Sequence, residues 1–146
     1  MARTSYNQLA TPEADRLIAD LFALGGIGYV ALGCGQEVLM REAPGMVSRT
    51  TAETNFYEEL LVNPTLIKLA GQRAALDCGG LNYIAIGYGD FIQLVMPMRD
   101  GHVSLAVSRK TAVGELAARI GDVLENHGHS RQTPSGWLLG PPPPSI

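Results

Sequence analysis

A chain of 146 residues with 46% hydrophobic and 17% charged content is apolar enough to bury a core and short enough for one domain plus tails. Its formal net charge of −3 supplies no basic field, which argues against the nucleic-acid binders that depend on one. Its two cysteines, Cys34 and Cys78, form neither a disulfide framework nor a metal-ligand spacing and fit a reducing cytoplasm.

The N-terminus, MARTSYNQLATPE, lacks the apolar core of a signal peptide. No apolar run approaches the roughly 20 residues a membrane span needs, so a cytoplasmic domain is expected. Residues 1–10 read as a flexible N-terminus. Thr11-Pro12-Glu13-Ala14 is a helix start, with Thr11 as N-cap, Pro12 at the first helical position and Ala14 as N3. Leu17, Ile18, Leu21 and Leu24 follow at three- and four-residue steps as one apolar stripe, and Gly25-Gly26 ends the helix. Ile27–Leu32 and Glu37–Arg41 read as a hairpin across Gly33-Cys34-Gly35-Gln36, with the glycines at positive φ. Glu42–Thr54 is polar and loop-like, with Pro44-Gly45 as its turn, and it is longer than most connections in compact domains.

Asn55–Val62 can form a short helical turn, and Asn63-Pro64 is a cleaner start, with Asn63 as N-cap. That helix runs through Leu66, Ile67, Leu69, Ala70, Ala74 and Leu76 until Gly79-Gly80 stops it. Three β-rich runs follow, Leu81–Gly87, Asp90–Met98 and His102–Val107. They are separated by Tyr88-Gly89-Asp90 and Arg99-Asp100-Gly101, and read as an antiparallel meander with primed turns. Thr111 is the expected N-cap of a last amphipathic helix carrying Val113, Leu116, Ala117, Ile120 and Leu124 and ending near Asn126. Residues 127–146 form a Gly/Pro-rich tail, with Trp137-Leu138-Leu139 as its sticky patch and Pro141–Pro144 favouring polyproline II.

Catalytic and cofactor chemistry finds little support along this order. Gly33-Cys34-Gly35 and Gly87-Tyr88-Gly89 each contain G-x-G, but neither joins a strand to a helix N-terminus, where a phosphate loop must sit. His127 and His129 do not build a four-ligand metal site and belong to the tail. His102 reads as a strand-edge residue without a nucleophile or orienting acid. Cys34 is expected in a partly exposed turn, and Cys78 as a small core residue. Glu58 and Glu59 are adjacent, point apart on a helix and do not resemble an acid/base couple. The expectation is a protein that is not an enzyme and has no cofactor and no metal.

The helix start NPTLIKLAGQRAALDCGG, the strands LNYIAIGYGDFIQLVMPM and GHVSLAVSRK and the final helix AVGELAARIGDVL resemble the roadblock / dynein light chain family. That family has a profilin-like and longin-like architecture. The resemblance covers residues 11–126 and leaves both tails outside. It implies an α+β fold in α-β-β-α-β-β-β-α order, a five-stranded antiparallel sheet with the first and last helices on one face and the middle helix on the other. It also implies a homodimer in which the middle helices pack together and the strand after them pairs with its copy. The implied interface is Leu66, Leu69, Arg73 and Leu76 of the helix with Leu81, Tyr83, Ile84, Ala85 and Ile86 of the strand. An edge strand with apolar residues on both faces invites such pairing on physical grounds as well.

Members of the family regulate small Ras-like GTPases or act as dimeric adaptors in motor and signalling assemblies. The implied function is therefore a non-enzymatic homodimeric adaptor whose partners are a second copy of itself and a Ras-like GTPase, with neither nucleic acid nor membrane. The Glu42–Thr54 connection and the Gly-Cys-Gly hairpin depart from the family pattern, so no GTPase-contact residue is carried over. Two alternatives stand beside this reading. One is a small-molecule-sensing domain of PAS or GAF type, with room left near the sheet by Gly28, Ala31, Ala85, Gly87 and Ala106. The other is a hydrolase or transferase using His102 with Cys34 or Asp90.

Overall fold

A computed structural model of the chain describes residues 8–44 and 50–129. Most of the expected N-terminal tail, the Pro44-Gly45 turn in part, the Trp137-Leu138-Leu139 patch and the Pro141–Pro144 run lie outside the described residues.

Helix α1 spans Pro12–Phe22 and begins as expected, with Thr11 Oγ1 accepting from the Ala14 N–H at 3.1 Å. Gly25 and Gly26 adopt φ of 86° and 76°, a conformation that costs a β-carbon-bearing residue energy, and they turn the chain into strand β1, Ile27–Cys34. Strand β2 is Glu37–Glu42, and the ladder closes at Cys34 opposite Glu37. The hairpin turn is thus Gly35-Gln36 alone. Only Gly35 takes positive φ, while Gly33, expected in the turn, lies inside β1.

The middle helical segment corrects the sequence expectation most. It begins at Ala52 instead of Asn63. Thr51 caps it by accepting from the Thr54 N–H, and Thr54 Oγ1 accepts from the Thr51 N–H in return. Helix α2, Ala52–Tyr57, passes into a π-helical segment, Glu58–Val62, and then into α3, Asn63–Asp77. Asn63 is no N-cap: its backbone is helical, and its N–H reaches back to the Glu58 carbonyl, the five-residue step of a π-helix. Pro64 lacks an N–H, and its ring crowds the carbonyl four residues earlier in a regular α-helix. Widening the preceding turn accommodates it without breaking the rod. The long polar loop expected up to Thr54 accordingly shortens.

Strand β3 is only Ile84–Gly87, shorter than the expected Leu81–Gly87. Ile84 pairs with Val95 of β4, Ile92–Met98. Continuing that register would set Asn82 opposite Pro97, which has no N–H to offer. Strand β5 is Gly101–Val107, and Met98 pairs with Gly101 across Arg99-Asp100. Neither Gly89 nor Gly101 has positive φ and no non-glycine residue among those described does, so the expected primed turns are absent. Gly101 is needed for space: a β-carbon there would collide with the Gly33 carbonyl oxygen across the β1–β5 ladder.

Helix α4, Val113–Asn126, starts two residues after the expected Thr111 cap and has Ala112 at its N-cap without a side-chain bond. Thr111 is still occupied in a turn, its N–H donating to the Ser108 carbonyl. His127, expected in a solvated tail, closes α4 through its backbone N–H and bonds Asp20 Oδ2 of α1 at 2.7 Å through Nε2.

The sheet is antiparallel in the order β2-β1-β5-β4-β3. Strand alternation sorts its residues between two faces. One face carries Val30, Leu32, Leu94, Met96, Val103, Leu105 and Val107, which form the main core with Leu17, Ile18 and Leu21 of α1 and Leu116, Ile120 and Leu124 of α4. Burying each such side chain stabilises the fold by ~1.5–3 kcal/mol. The other face carries Tyr29, Gln93, Val95, His102 and Ser104 and receives the π-helical segment and α3, which buries Asn63, Ile67, Gly71 and Ala74. This is the α+β arrangement with two helical layers implied by the roadblock resemblance.

Candidate functional site

The expected interface residues divide between an open helix stripe and an edge strand. Leu69 and Leu76, two helical turns apart, are 60% and 54% exposed on α3, with Arg73 exposed between them and Leu66 half-buried at the start. Arg73 is bonded to Asp77 at 2.5 Å, and that contact holds the Asp77 carboxyl below its ordinary range. Cys78, expected in the core, is exposed and accepts from Arg73 Nη1 at 3.4 Å. Cys34 is exposed, as expected.

Strand β3 has β4 as its neighbour and forms one edge of the sheet. Ile84 and Ile86 are half-buried on the α3 face, whereas Ala85 is exposed on the opposite face. Tyr83, ahead of the strand, follows Ala85, and its hydroxyl lies beside Gly114 of α4. Leu81 also precedes the strand and is half-buried. The structure therefore joins Leu69, Arg73 and Leu76 in one stripe and Ile84, Ala85 and Ile86 in one edge, and places Tyr83 on the other side of the sheet. Apolar exposure is not limited to that stripe. Among the described residues the exposed large hydrophobics are Phe56, Tyr57, Leu61, Leu69, Leu76, Tyr83 and Tyr88, which lie on the α2–α3 rod or around β3. Sequence reasoning missed Phe56, Tyr57 and Leu61 because it placed the helix start too late.

A buried polar network lies beneath the rod. The π-helical turn sets Glu59 and Asn63 against the sheet, where Glu59 is only 1% exposed. Its Oε1 meets His102 Nε2 at 2.7 Å and Asn63 Nδ2 at 3.0 Å; its Oε2 accepts from Ser104 Oγ at 2.5 Å and Tyr29 Oη at 3.1 Å. Burial, and after it the Glu59 carboxylate, raises the Tyr29 phenol far above its usual range. His102 is thus a buried partner of an acid and not the strand-edge residue expected. The spacing His102-x-Ser104 carried a signal, because period two puts both polar side chains on one inner face that needs an acceptor.

These residue types suggest a Ser-His-Glu triad, but the geometry is different. The carboxylate takes both the serine hydroxyl and the histidine nitrogen, so Ser104 donates to the acid and not to His102. Ser104 is also fully buried. The cluster is suited to holding the rod on the sheet.

Glu58 and Glu59 hold different partners: Glu58 Oε1 accepts from Tyr88 Oη at 2.7 Å, whereas the Glu59 carboxylate belongs to the buried network. Burial raises the Glu58 carboxyl above its ordinary value, against the lowering effect of Tyr88. Tyr88 is pushed up to about 12 by burial and then by its bond to Glu58. Beside this pair a cavity of about 490 Å³ opens between the sheet, the helical rod and the β3–β4 turn. Ile27, Phe91 and Val107 supply apolar wall, and Tyr29, Glu58 and Gln93 supply polar atoms. Among the described residues no group of three or more His, Cys, Asp or Glu is placed to hold a metal ion, and no helix is long and apolar enough to cross a membrane.

No family model matches the chain, and no curated protein matches it. Among solved structures, it is similar to one described as MglB with tetrameric arrangement. The TM-score is 0.51 and the identity 14%, over 84% of this chain and 97% of that one. The likeness shows a shared fold. At that level it bears out the roadblock pattern read from the second helix, the meander and the last helix.

Proposed function

We propose that the chain is a non-enzymatic adaptor of roadblock type that pairs with a second copy of itself and regulates a small Ras-like GTPase. The observation that carries this reading is that, among the described residues, the exposed large hydrophobics fall on the α2–α3 rod and around β3. Clustered apolar exposure of this kind marks a surface for another protein. The open edge of β3 offers backbone groups for pairing with its copy, and Leu66, Leu69 and Leu76 offer the stripe that two antiparallel rods would cover. Arg73 sits within that stripe and can meet a carboxylate across it. The likeness to MglB supports the scaffold, and the buried Glu59–His102–Ser104 cluster, in which Ser104 bonds the acid and not the histidine, is consistent with a non-catalytic role.

The test is co-purification with Ras-like GTPases from the source cell, loaded with GDP or with a non-hydrolysable GTP analogue, followed by measurement of GTP hydrolysis. Nucleotide-dependent capture of a GTPase, lost on Leu69→Asp, is the expected result. Capture of none in either nucleotide state contradicts the regulatory half of the proposal.

A further inference from the structure

The sheet has two edges, and only one of them, β3, enters the pairing proposed above. At the other edge β2 has β1 as its neighbour, and among the described residues no strand flanks its outer side. β2 pairs with β1 in an unbroken register, it contains no proline, and its centre, Val38-Leu39-Met40, is apolar. A regular, apolar edge of six residues is the kind that recruits a strand from another chain.

Alternation along β2 sets where an added strand would bond. Cys34 and Glu37 close a two-residue hairpin, so they exchange hydrogen bonds, as do Leu32 with Leu39 and Val30 with Arg41. The N–H and C=O groups of Val38, Met40 and Glu42 therefore point away from β1. The Met40 carbonyl draws a donor from the exposed Arg41 side chain at 3.0 Å.

This chain brings a suitable segment to that edge. The Gln8 N–H donates to Glu37 Oε1 at 3.1 Å, so residue 8 lies beside the first residue of β2. Leu9 packs against the main core, to which Leu39 belongs. The preceding residues, Arg3-Thr4-Ser5-Tyr6-Asn7, stand outside the described residues. Run back from Gln8 antiparallel to β2, they set Asn7, Ser5 and Arg3 opposite Val38, Met40 and Glu42. Five extended residues span about 17 Å, which matches the run from Val38 to Glu42. Thr4 and Tyr6 are strand-forming types and fall opposite Arg41 and Leu39. Arg3 falls opposite Glu42, an attractive cross-strand charge pair.

We propose that residues 3–7 add to β2 as a sixth, antiparallel strand and keep that edge from pairing with other chains. The sheet then grows at β3 alone, so association stops at two copies instead of running on from edge to edge. The guarding role rests on the pairing at β3 proposed above; the added strand does not.

The test compares the full chain with a chain that starts at Gln8, by residue-resolved amide hydrogen exchange. The Met40 and Glu42 amides are expected to exchange about tenfold or more faster in the shortened chain. Leu39 and Arg41, held by β1, are expected to stay protected, which shows that the sheet is folded. Ser5→Pro removes the N–H that faces Met40 and is expected to reproduce the effect, whereas Thr4→Pro removes one that faces away from β2 and is expected to leave most of the protection. Light scattering of the shortened chain is expected to give masses above that of the full chain at the same concentration. Met40 and Glu42 amides that exchange alike in both chains, or that ignore Ser5→Pro, overturn the added strand, whether another segment covers the edge or none does. A mass unchanged by the shortening overturns the guarding role. Exchange at β2 reads the same in a monomer and in a dimer, so its failure is distinct from failure of the pairing at β3.

Discussion

Glu59 and His102 are 43 residues apart in sequence, yet their side chains meet at 2.7 Å, each almost fully buried. Through this contact a helical turn on one element is fixed to the third strand of the meander, and Ser104, Tyr29 and Asn63 complete the carboxylate's shell.

Removing the acceptor leaves four donors, on Tyr29, Asn63, His102 and Ser104, without their partner. Glu59→Ala is expected to cost about 3–5 kcal/mol of folding stability, and Glu59→Gln about 1–3 kcal/mol, because an amide keeps one acceptor but turns N–H toward donors. Chemical denaturation measures both. A loss below about 1 kcal/mol for the alanine variant would show that the network contributes little.

Glu58 tests the opposite situation, a carboxyl that burial disfavours when charged. Its folded-state value is raised, so the folded state holds the proton more tightly than the unfolded state. Its contribution is fully present below the ordinary carboxyl range and is lost as pH rises through the raised value. Glu58→Gln should therefore melt higher than the unmodified protein at pH 8, and the gap should close by about pH 4. Thermal unfolding across that range checks it, and a gap independent of pH would contradict the assignment.

Tyr88 extends the same pair to alkaline pH. With its phenol pushed up to about 12, stability is expected to be unaffected below the ordinary tyrosine range near 10 and to fall as pH rises from there through about 12. In Tyr88→Phe this part of the decline should disappear. An unchanged alkaline profile in that variant would place the titration elsewhere.

Gly101→Ala should destabilise the sheet more than an ordinary strand substitution, by about 2 kcal/mol or more, because the added carbon meets the Gly33 backbone and no side chain there can move aside. At Gly33 the added carbon meets the His102 ring instead. That ring is tethered to Glu59, so Gly33→Ala is expected to weaken the Glu59 network as well as the strand. Additivity in a double variant with Glu59→Gln would contradict that coupling.

The order of elements and the faces of the strands were legible because periodicity reports them directly. Leu17, Ile18 and Leu21 mark the buried side of α1, and Val103, Leu105 and Val107 mark the main-core face of β5. The continuity of the middle rod was not legible. Pro64 normally reads as a helix start, and only the π-helical turn before it lets the helix run on from Ala52. That single misreading hid the role of Glu59, since a short helical turn standing alone does not reveal which of its sides meets the sheet. It also hid the cavity, whose walls join segments 35 residues apart, Glu58 and Gln93 (93 − 58). The exposed stripe was legible in part: Leu69 and Leu76 show a seven-residue step, but exposure itself depends on how the sheet packs.

The pairing of two copies through α3 and β3 is the centre of the account, and solution mass by light scattering across a concentration series tests it most directly. The predicted result is a stable mass near twice the 15.6 kDa of one chain. Ile84→Asp at the strand edge should shift it toward the single-chain value, and so should Leu69→Asp, whose exposed side chain is not needed for the fold. A single-chain mass at every concentration, or a dimer indifferent to both substitutions, would contradict the proposed interface.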